Sequence, residues 1–179
     1  DDGACAGVYG LVCADLVPLA NPEATPEITV DASIHLDATC DGACTVWSLG
    51  ELSLTVEPDQ SVSLRVGDAT LVQTPPGVLP RGQWLVVGAV ISSSISICVD
   101  GVMVVKNSQL STQDLYPCLY GQEPFRIGVD SANPPRSPFC GFMSEIRVWQ
   151  SADPTPPGRN VDTSDMHGAV ARWRFDEGA

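Results

Sequence analysis

The stretch from Trp84 to Val105 reads WLVVGAVISSSISICVDGVMVV, and it decides the fold class. Its first segment, Trp84–Ile91, is apolar on both faces of an extended chain, which is typical of a central strand covered on both sides. A serine turn leads into Ile95–Val99. Asp100-Gly101 then separates two apolar runs, which is a strong hairpin signal because both turn residues adopt positive φ. The stretch therefore predicts three consecutive antiparallel strands.

Strands are predicted on both sides of this stretch as well. Apolar and polar residues alternate along Ile28–Leu36, the period of a half-buried strand. Leu52–Val56 and Val62–Val66 alternate in the same way, and the turn-forming segment Glu57–Ser61 lies between them. Further strands are predicted at Thr70–Val72, Phe125–Val129, Phe142–Trp149 and Ala169–Phe175. With almost no helical period in the chain, the fold class predicted is all-β, an antiparallel β-sandwich or jelly roll.

Size and charge restrict the kind of protein further. The 179 residues correspond to one domain, taken as 1–179. The chain has 22 acidic and 9 basic residues, for a net charge of −13. Because nucleic acid is bound through clustered cations, which this chain lacks, it is not an expected partner. No apolar run approaches the ~18 residues of a membrane-spanning helix, so membrane insertion is not expected either.

The cysteines indicate an oxidising compartment, and we expect an extracellular protein, secreted or on the cell surface. Local loops could be closed by Cys5 with Cys13 and by Cys40 with Cys44, and a bond across a hairpin could join Cys118 to Cys140. Cys98 lies mid-strand and is the expected odd thiol. Spacing alone does not fix the connectivity, so other pairings stay open.

Five segments, in order, resemble the laminin-G-like and pentraxin-like domains. Gly82–Val87 is similar to their "G-x-W-x-x-hydrophobic" strand, and Ile95–Gly101 to their "l-x-l-y-v-D-G" hairpin. Phe125–Gly128 resembles "l-x-i-G", and Cys140–Trp149 resembles "f-x-G-x-i-d-e-v-r-v-w". Trp173–Gly178 resembles the closing "W-x-F-D-E-G" strand. The order and spacing of the five segments make the resemblance specific.

The resemblance covers about 28–178 and leaves 1–27 unassigned. It implies a concanavalin A-like jelly roll, two antiparallel sheets face to face, of a kind that binds glycans or proteins outside the cell. In pentraxin-like domains an acidic cluster after the "l-x-i-G" strand binds calcium. Asp130 matches one of those acids, but Val129 stands where a glutamate is expected. Calcium at Asp130 is thus the implied cofactor, and an Asp that initiates a turn is the alternative.

Ligand contacts are predicted at one tryptophan and in the rim loops. Trp84, Trp149 and Trp173 lie within apolar strands and are expected in the core. Trp47, beside the Cys40–Cys44 loop, is the candidate for stacking on a sugar. The loops 75–81, 107–120 and 130–139 carry the remaining candidates, which are Tyr116, Tyr120, Asn133 and Arg136.

Catalysis is not predicted. Glycoside hydrolases of this fold carry Glu-x-Asp-x-x-Glu on one strand, whereas the nearest segment here, Glu57–Val62, contains Pro58 and ends without the third carboxylate. His35 and His167 are expected to be ordinary surface histidines. The predicted function is a non-catalytic module that recognises a glycan or a partner protein through rim loops. The alternatives are a structural or adhesive domain packed on its neighbours in a larger protein, and a hydrolase or lyase using Glu51 or Glu145.

Overall fold

The computed structural model describes residues 11–13, 27–109, 115, 118–119, 123–132, 136–150 and 169–175, which contain twelve β-strands. The strands are β1 Leu11–Cys13, β2 Ile28–Leu36, β3 Cys44–Leu49, β4 Leu52–Val56, β5 Val62–Val66, β6 Ala69–Gln73, β7 Trp84–Ile91, β8 Ile95–Val99, β9 Val102–Asn107, β10 Phe125–Ile127, β11 Gly141–Trp149 and β12 Ala169–Arg174. In these ranges no helix has the length and apolarity to cross a membrane.

The strands form two six-stranded sheets, and every paired strand is antiparallel to its neighbour. The first sheet has the order β1-β10-β3-β4-β5-β6, and the second has the order β12-β11-β2-β7-β8-β9. One core cluster draws alternate side chains from both sheets. The prediction of an all-β concanavalin A-like sandwich is confirmed.

The two predicted hairpins are present. Asp100 and Gly101 have φ of 49° and 78°, and the Asp100 carboxylate accepts a hydrogen bond from the Val86 N–H at 2.9 Å. Glu57 donates its N–H to the Ser61 carbonyl at 2.9 Å, which closes the loop between β4 and β5. Strand β7 lies inside the second sheet, and all but its first residue are buried, as its two apolar faces predict.

The tryptophan predictions need correction. Trp47 is 1% exposed and stacks on Phe125, which stacks in turn on Trp173. A β-bulge between Thr45 and Trp47 turns both Val46 and Trp47 inward, so Trp47 offers no face to a sugar. Trp84 was expected in the core but is 41% exposed, because it lies on the outer face at the start of β7.

The other two tryptophans also differ from each other. Trp173 packs against the core as predicted. Trp149 is half-buried on the outer face of β11, and the guanidinium of Arg147 lies 5.3 Å from its ring centroid. The expectation of a core position for Trp149 is therefore wrong, since it shares a face with Arg147, two residues away.

A buried ion pair lies on the same outer face of the second sheet. Arg147 and Asp31 are register partners on β11 and β2, and both are buried. The guanidinium donates two hydrogen bonds to the carboxylate, from Nε at 2.9 Å and from Nη2 at 2.8 Å. This bidentate geometry satisfies both charges in a place that water does not reach.

Candidate functional site

A polar cleft of about 380 Å³ lies on the outer face of the first sheet. Its lining is rich in hydroxyls and in charged groups of both signs. The hydroxyl-bearing residues are Thr45, Ser53, Thr55, Ser131 and Ser137; the charged residues are Glu51, Arg65, Asp68, Asp130 and Arg136; Gly67 and Ala132 complete the lining. We call this feature the polar cleft.

Strand alternation builds the floor of the polar cleft. Leu52, Leu54 and Val56 point into the core, so Ser53 and Thr55 of β4 face outward. Register then places Thr45 of β3 beside Thr55, and Arg65 of β5 beside Ser53. The floor is thus a hydroxyl surface with one guanidinium at its edge.

The loop after β10 forms one wall, and Asp130 organises that loop. The Asp130 carboxylate accepts hydrogen bonds from the N–H of Ala132 at 3.2 Å and of Arg136 at 3.1 Å. The Ser137 carbonyl accepts the Thr45 N–H at 2.9 Å, which ties the loop to the floor. These contacts leave the Arg136 side chain 74% exposed beside the cleft.

The two arginines present donors to this space. Arg65 donates from Nη1 to Glu57 at 3.4 Å, whereas its Nε is buried and has no hydrogen-bond partner. Arg136 lies 4.0 Å from Asp68, and an ion pair as exposed as this contributes little. Guanidinium groups donate, carboxylates accept, and hydroxyls do both. The arrangement suits a ligand that carries many hydroxyl groups.

The polar cleft brings together two of the residues predicted from the sequence, Asp130 and Arg136. Trp47 is not part of it, because it lies in the core. Tyr116, Tyr120 and Asn133 lie outside the described residues.

The described residues do not fit a calcium ion. Calcium takes six to eight oxygen ligands. Asp130 uses its carboxylate oxygens for backbone N–H groups, and no group of three or more His, Cys, Asp or Glu in the described ranges is arranged to hold a metal. Its observed contacts are those of the alternative, an Asp that initiates a turn.

Two of the three predicted disulfide bonds are absent, and the third, between Cys5 and Cys13, falls outside what the structure describes. Cys40 and Cys44 are buried, with their sulfurs 4.0 Å apart and unbonded. Cys140 hydrogen-bonds to both Cys40 and Cys44, because the segment before β11 runs along the 37–44 loop. Cys118 lies elsewhere and hydrogen-bonds to the backbone of Glu51. The bond predicted between Cys118 and Cys140 is therefore wrong. Cys98 is buried in β8, Cys5 lies outside the described residues, and of Cys13 only the strand position is described.

Thr45, Ser53, Thr55 and Arg65 were missed by the sequence reasoning. Ser53, Thr55 and Arg65 occupy the polar positions of alternating strands, where such residues are ordinary. Thr45 lies on β3, a strand that was not predicted. The available signal was a run of outward hydroxyls in place of the usual charged residues, on neighbouring strands. It becomes a site only through a register that the sequence does not state.

The fold and the polar cleft define a lectin-like sandwich, and the comparisons name its family. The Laminin_G_3 family model, described as the Concanavalin A-like lectin/glucanases superfamily, matches residues 14–153. The chain belongs to this superfamily. A comparison with curated proteins finds no match.

Solved structures of similar fold include several proteins that act on or bind sugars. A candidate carbohydrate binding protein from Bacteroides ovatus has a TM-score of 0.60 at 18% identity, covering 94% of this chain and 49% of its own. The CBM40 module of a Ruminococcus gnavus sialidase, bound to α2,3-sialyllactose, has a TM-score of 0.58 at 13% identity, covering 80% of this chain and 90% of its own. Domain 4 of an extracellular GH43 arabinanase from Geobacillus stearothermophilus, in complex with arabinotriose, has a TM-score of 0.54 at 18% identity, covering 80% of this chain and 67% of its own.

At these identities the likeness shows the fold alone. The chain spans about half of the length of the Bacteroides protein.

Proposed function

We propose that this chain is a non-catalytic glycan-binding module that works outside the cell and holds its ligand in the polar cleft. The observation that carries the proposal is the composition of the cleft, in which five hydroxyl side chains lie among two arginines and three carboxylates. A sugar presents closely spaced hydroxyls that each donate and accept, and such a lining can satisfy both roles.

The two arginines are the groups we expect to contribute most. The Arg65 side chain is 31% exposed and lines the cleft, and its Nη1 makes only a long contact of 3.4 Å with Glu57, so its guanidinium can donate to a ligand oxygen. Arg136 carries its charge on a side chain that can adjust to the ligand, because its backbone alone holds the loop. Hydrogen bonds from charged donors are about twice as strong as neutral ones.

The similar structures support a glycan over a protein as ligand. The Ruminococcus module and the Geobacillus domain are two similar folds described with a bound sugar, sialyllactose in one and arabinotriose in the other. Those ligands belong to those proteins. For this chain they make a saccharide the first class of ligand to test.

Burial supports the non-catalytic part of the proposal. The general acid of a glycosidase is a carboxyl group kept protonated by an apolar setting. Glu51 and Asp68 are exposed, and the Asp130 carboxylate is engaged by the backbone of its loop. The extracellular location is proposed from the sequence alone, because seven cysteines are many for a cytosolic protein. The unbonded Cys40 and Cys44 do not add to that support, and counting the thiols of natively made protein tests it.

The test is a glycan array with the full chain, followed by calorimetric titration of each glycan that binds. Losing one hydrogen bond from a charged donor costs about 1.5–3 kcal/mol, so we expect Arg136→Gln to raise the Kd roughly 10- to 100-fold. Lys106→Gln is the matched control, because it removes the same charge from an exposed position on β9, in the other sheet.

An array without a single bound glycan would contradict the proposed function. A glycan that binds Arg136→Gln and the Lys106→Gln control equally well would contradict the polar cleft as the site. Turnover of any bound glycan, followed by reducing-end assay, would contradict the non-catalytic part.

A further inference from the structure

Three aromatic rings form a row across the outer face of the second sheet, on the side opposite to the polar cleft. Phe142 of β11 is the register partner of His35 of β2, which is the register partner of Trp84 of β7. The His35 ring centroid lies 5.6 Å from that of Trp84 and 5.9 Å from that of Phe142. We call these three residues the aromatic row.

The aromatic row is open to solvent. Trp84 is 41% exposed and Phe142 is 61% exposed. Single exposed apolar residues are ordinary on a protein surface and need no explanation. Aromatic residues at one level of three adjacent strands are different, because together they span about 10 Å, which is two strand spacings. The planes of Trp84 and Phe142 are inclined by 55° and 61° to that of His35.

The backbone fixes the end of the row. Gly141, which precedes Phe142, has φ of 145°, and a Cβ added there would lie 2.1 Å from the His35 carbonyl oxygen. Strand β11 therefore approaches β2 more closely than any other residue would allow. This close approach sets the backbone of Phe142 beside that of His35.

Polar groups border the row. Ser33 and Glu145 form the next outward pair of partners on β2 and β11, about 7 Å further along the strands. Glu145 is already matched by cations, since Arg172 donates to it and the Nε of Arg174 lies 3.8 Å from it. Within the row itself, the Nδ1 of His35 is buried and has no hydrogen-bond partner.

We propose that the aromatic row is a second binding site, for the apolar face of a neutral pyranose. A sugar ring has a face of C–H groups, which packs on aromatic rings, and an edge of hydroxyls, which needs hydrogen-bonding groups beside those rings. The row offers the first, and Ser33 and Glu145 beside it offer the second. The row itself contains no Asp, Glu, Lys or Arg, so the ligand class is neutral.

This site does not depend on the polar cleft. Its residues come from β2, β7 and β11 of the second sheet, whereas the floor of the cleft comes from β3, β4 and β5 of the first. A chain with both sites would hold two saccharide segments at once, one on each side of the sandwich.

The test uses calorimetric titration of the full chain with cellohexaose, mannohexaose and lactose at millimolar concentration. We expect at least one of them to bind, and to change the tryptophan fluorescence of the wild type, since Trp84 is exposed. Truncating an aromatic side chain at a binding contact typically weakens binding about tenfold or more, which we expect for both Trp84→Ala and Phe142→Ala. Both side chains are exposed, so the variants should fold.

Two control variants distinguish binding at the aromatic row from binding elsewhere on the molecule. Met103→Ala removes an apolar side chain of similar exposure, 43%, from β9 of the same sheet and should leave binding unchanged. Arg136→Gln, which tests the polar cleft, should also leave binding at the aromatic row unchanged.

Four results would overturn the inference. The first is no binding of any of the three saccharides, and the second is binding that survives Trp84→Ala. The third is binding lost in Arg136→Gln but kept in Phe142→Ala, which would leave the polar cleft as the site. The fourth is a wild-type dimer in sedimentation that Trp84→Ala converts to a monomer, because the row would then be a contact between copies.

Discussion

Replacing Arg147 with methionine tests how the second sheet is held together. The substitution keeps much of the side-chain volume but removes the two hydrogen bonds, at 2.8 and 2.9 Å, that the guanidinium donates to Asp31. The Asp31 side chain is 1% exposed, so its carboxylate cannot turn to water instead. Removing one partner of a buried ion pair costs about 3–5 kcal/mol. For a chain of this size that corresponds to a fall in Tm of roughly 6–20 °C.

The double variant Asp31→Leu with Arg147→Met distinguishes the effect of the two charges from the effect of the volume that the side chains fill. Replacing both partners by apolar side chains is often neutral or stabilising, so we expect the double variant to recover most of the loss. Arg174→Met makes the same chemical change on β12, where the side chain is 47% exposed, and should cost under about 1 kcal/mol.

Urea unfolding of the four proteins, followed by circular dichroism, measures these free energies. If Arg147→Met lowers the free energy of unfolding by less than about 1 kcal/mol, burial does not make it costly to leave the Asp31 carboxylate without its arginine, and the reasoning is refuted. Failure of the double variant to recover would show that the charges stabilise the sheet by more than their desolvation costs.

Two further predictions concern a glycine and the buried thiols. Gly141→Ala should lower the free energy of unfolding, measured in urea, by about 1–3 kcal/mol, because the added Cβ would overlap the His35 carbonyl. A loss under about 0.5 kcal/mol would contradict the close approach of β11 to β2. Burial raises the pKa of the Cys40, Cys44 and Cys118 thiols, so the unfolded chain releases these protons first and stability should fall as pH rises above about 8.5. Unfolding measured at pH 7 and 9.5 should show a smaller fall for Cys44→Ala than for the wild type, and an equal fall would contradict this origin.

Much of the fold could be predicted from local pattern because each signal has a local cause. Asp100-Gly101 predicts its hairpin since both residues must reach positive φ, and both do. The alternation in Ile28–Leu36 predicts which residues face the core, because side chains alternate along every strand.

The side-chain errors arise where the alternation is interrupted or carries no information. The bulge beside Thr45 adds a residue to one strand, which turns Trp47 into the core. Trp84 begins a strand that is apolar on both faces, so nothing local says on which face its ring lies. Trp84 lies in a strand that was correctly located, whereas the strand that carries Trp47, Cys44–Leu49, was not predicted.

The polar cleft and the aromatic row depend on register, which the sequence does not state. Thr55 and Arg136 are far apart in the chain and meet through the first sheet and the loop above it. Phe142, His35 and Trp84 align because three strands pair at one level. Each residue alone is an ordinary strand residue, and the site exists only through the pairing.

The most direct test of the glycan-binding account is a crystal structure of the full chain soaked with the glycan that binds best on the array. We expect density for that glycan in the polar cleft, with one oxygen within hydrogen-bond distance of the Arg65 guanidinium and another near the Arg136 guanidinium. A well-ordered glycan bound elsewhere, with water alone beside these two arginines, would contradict the account.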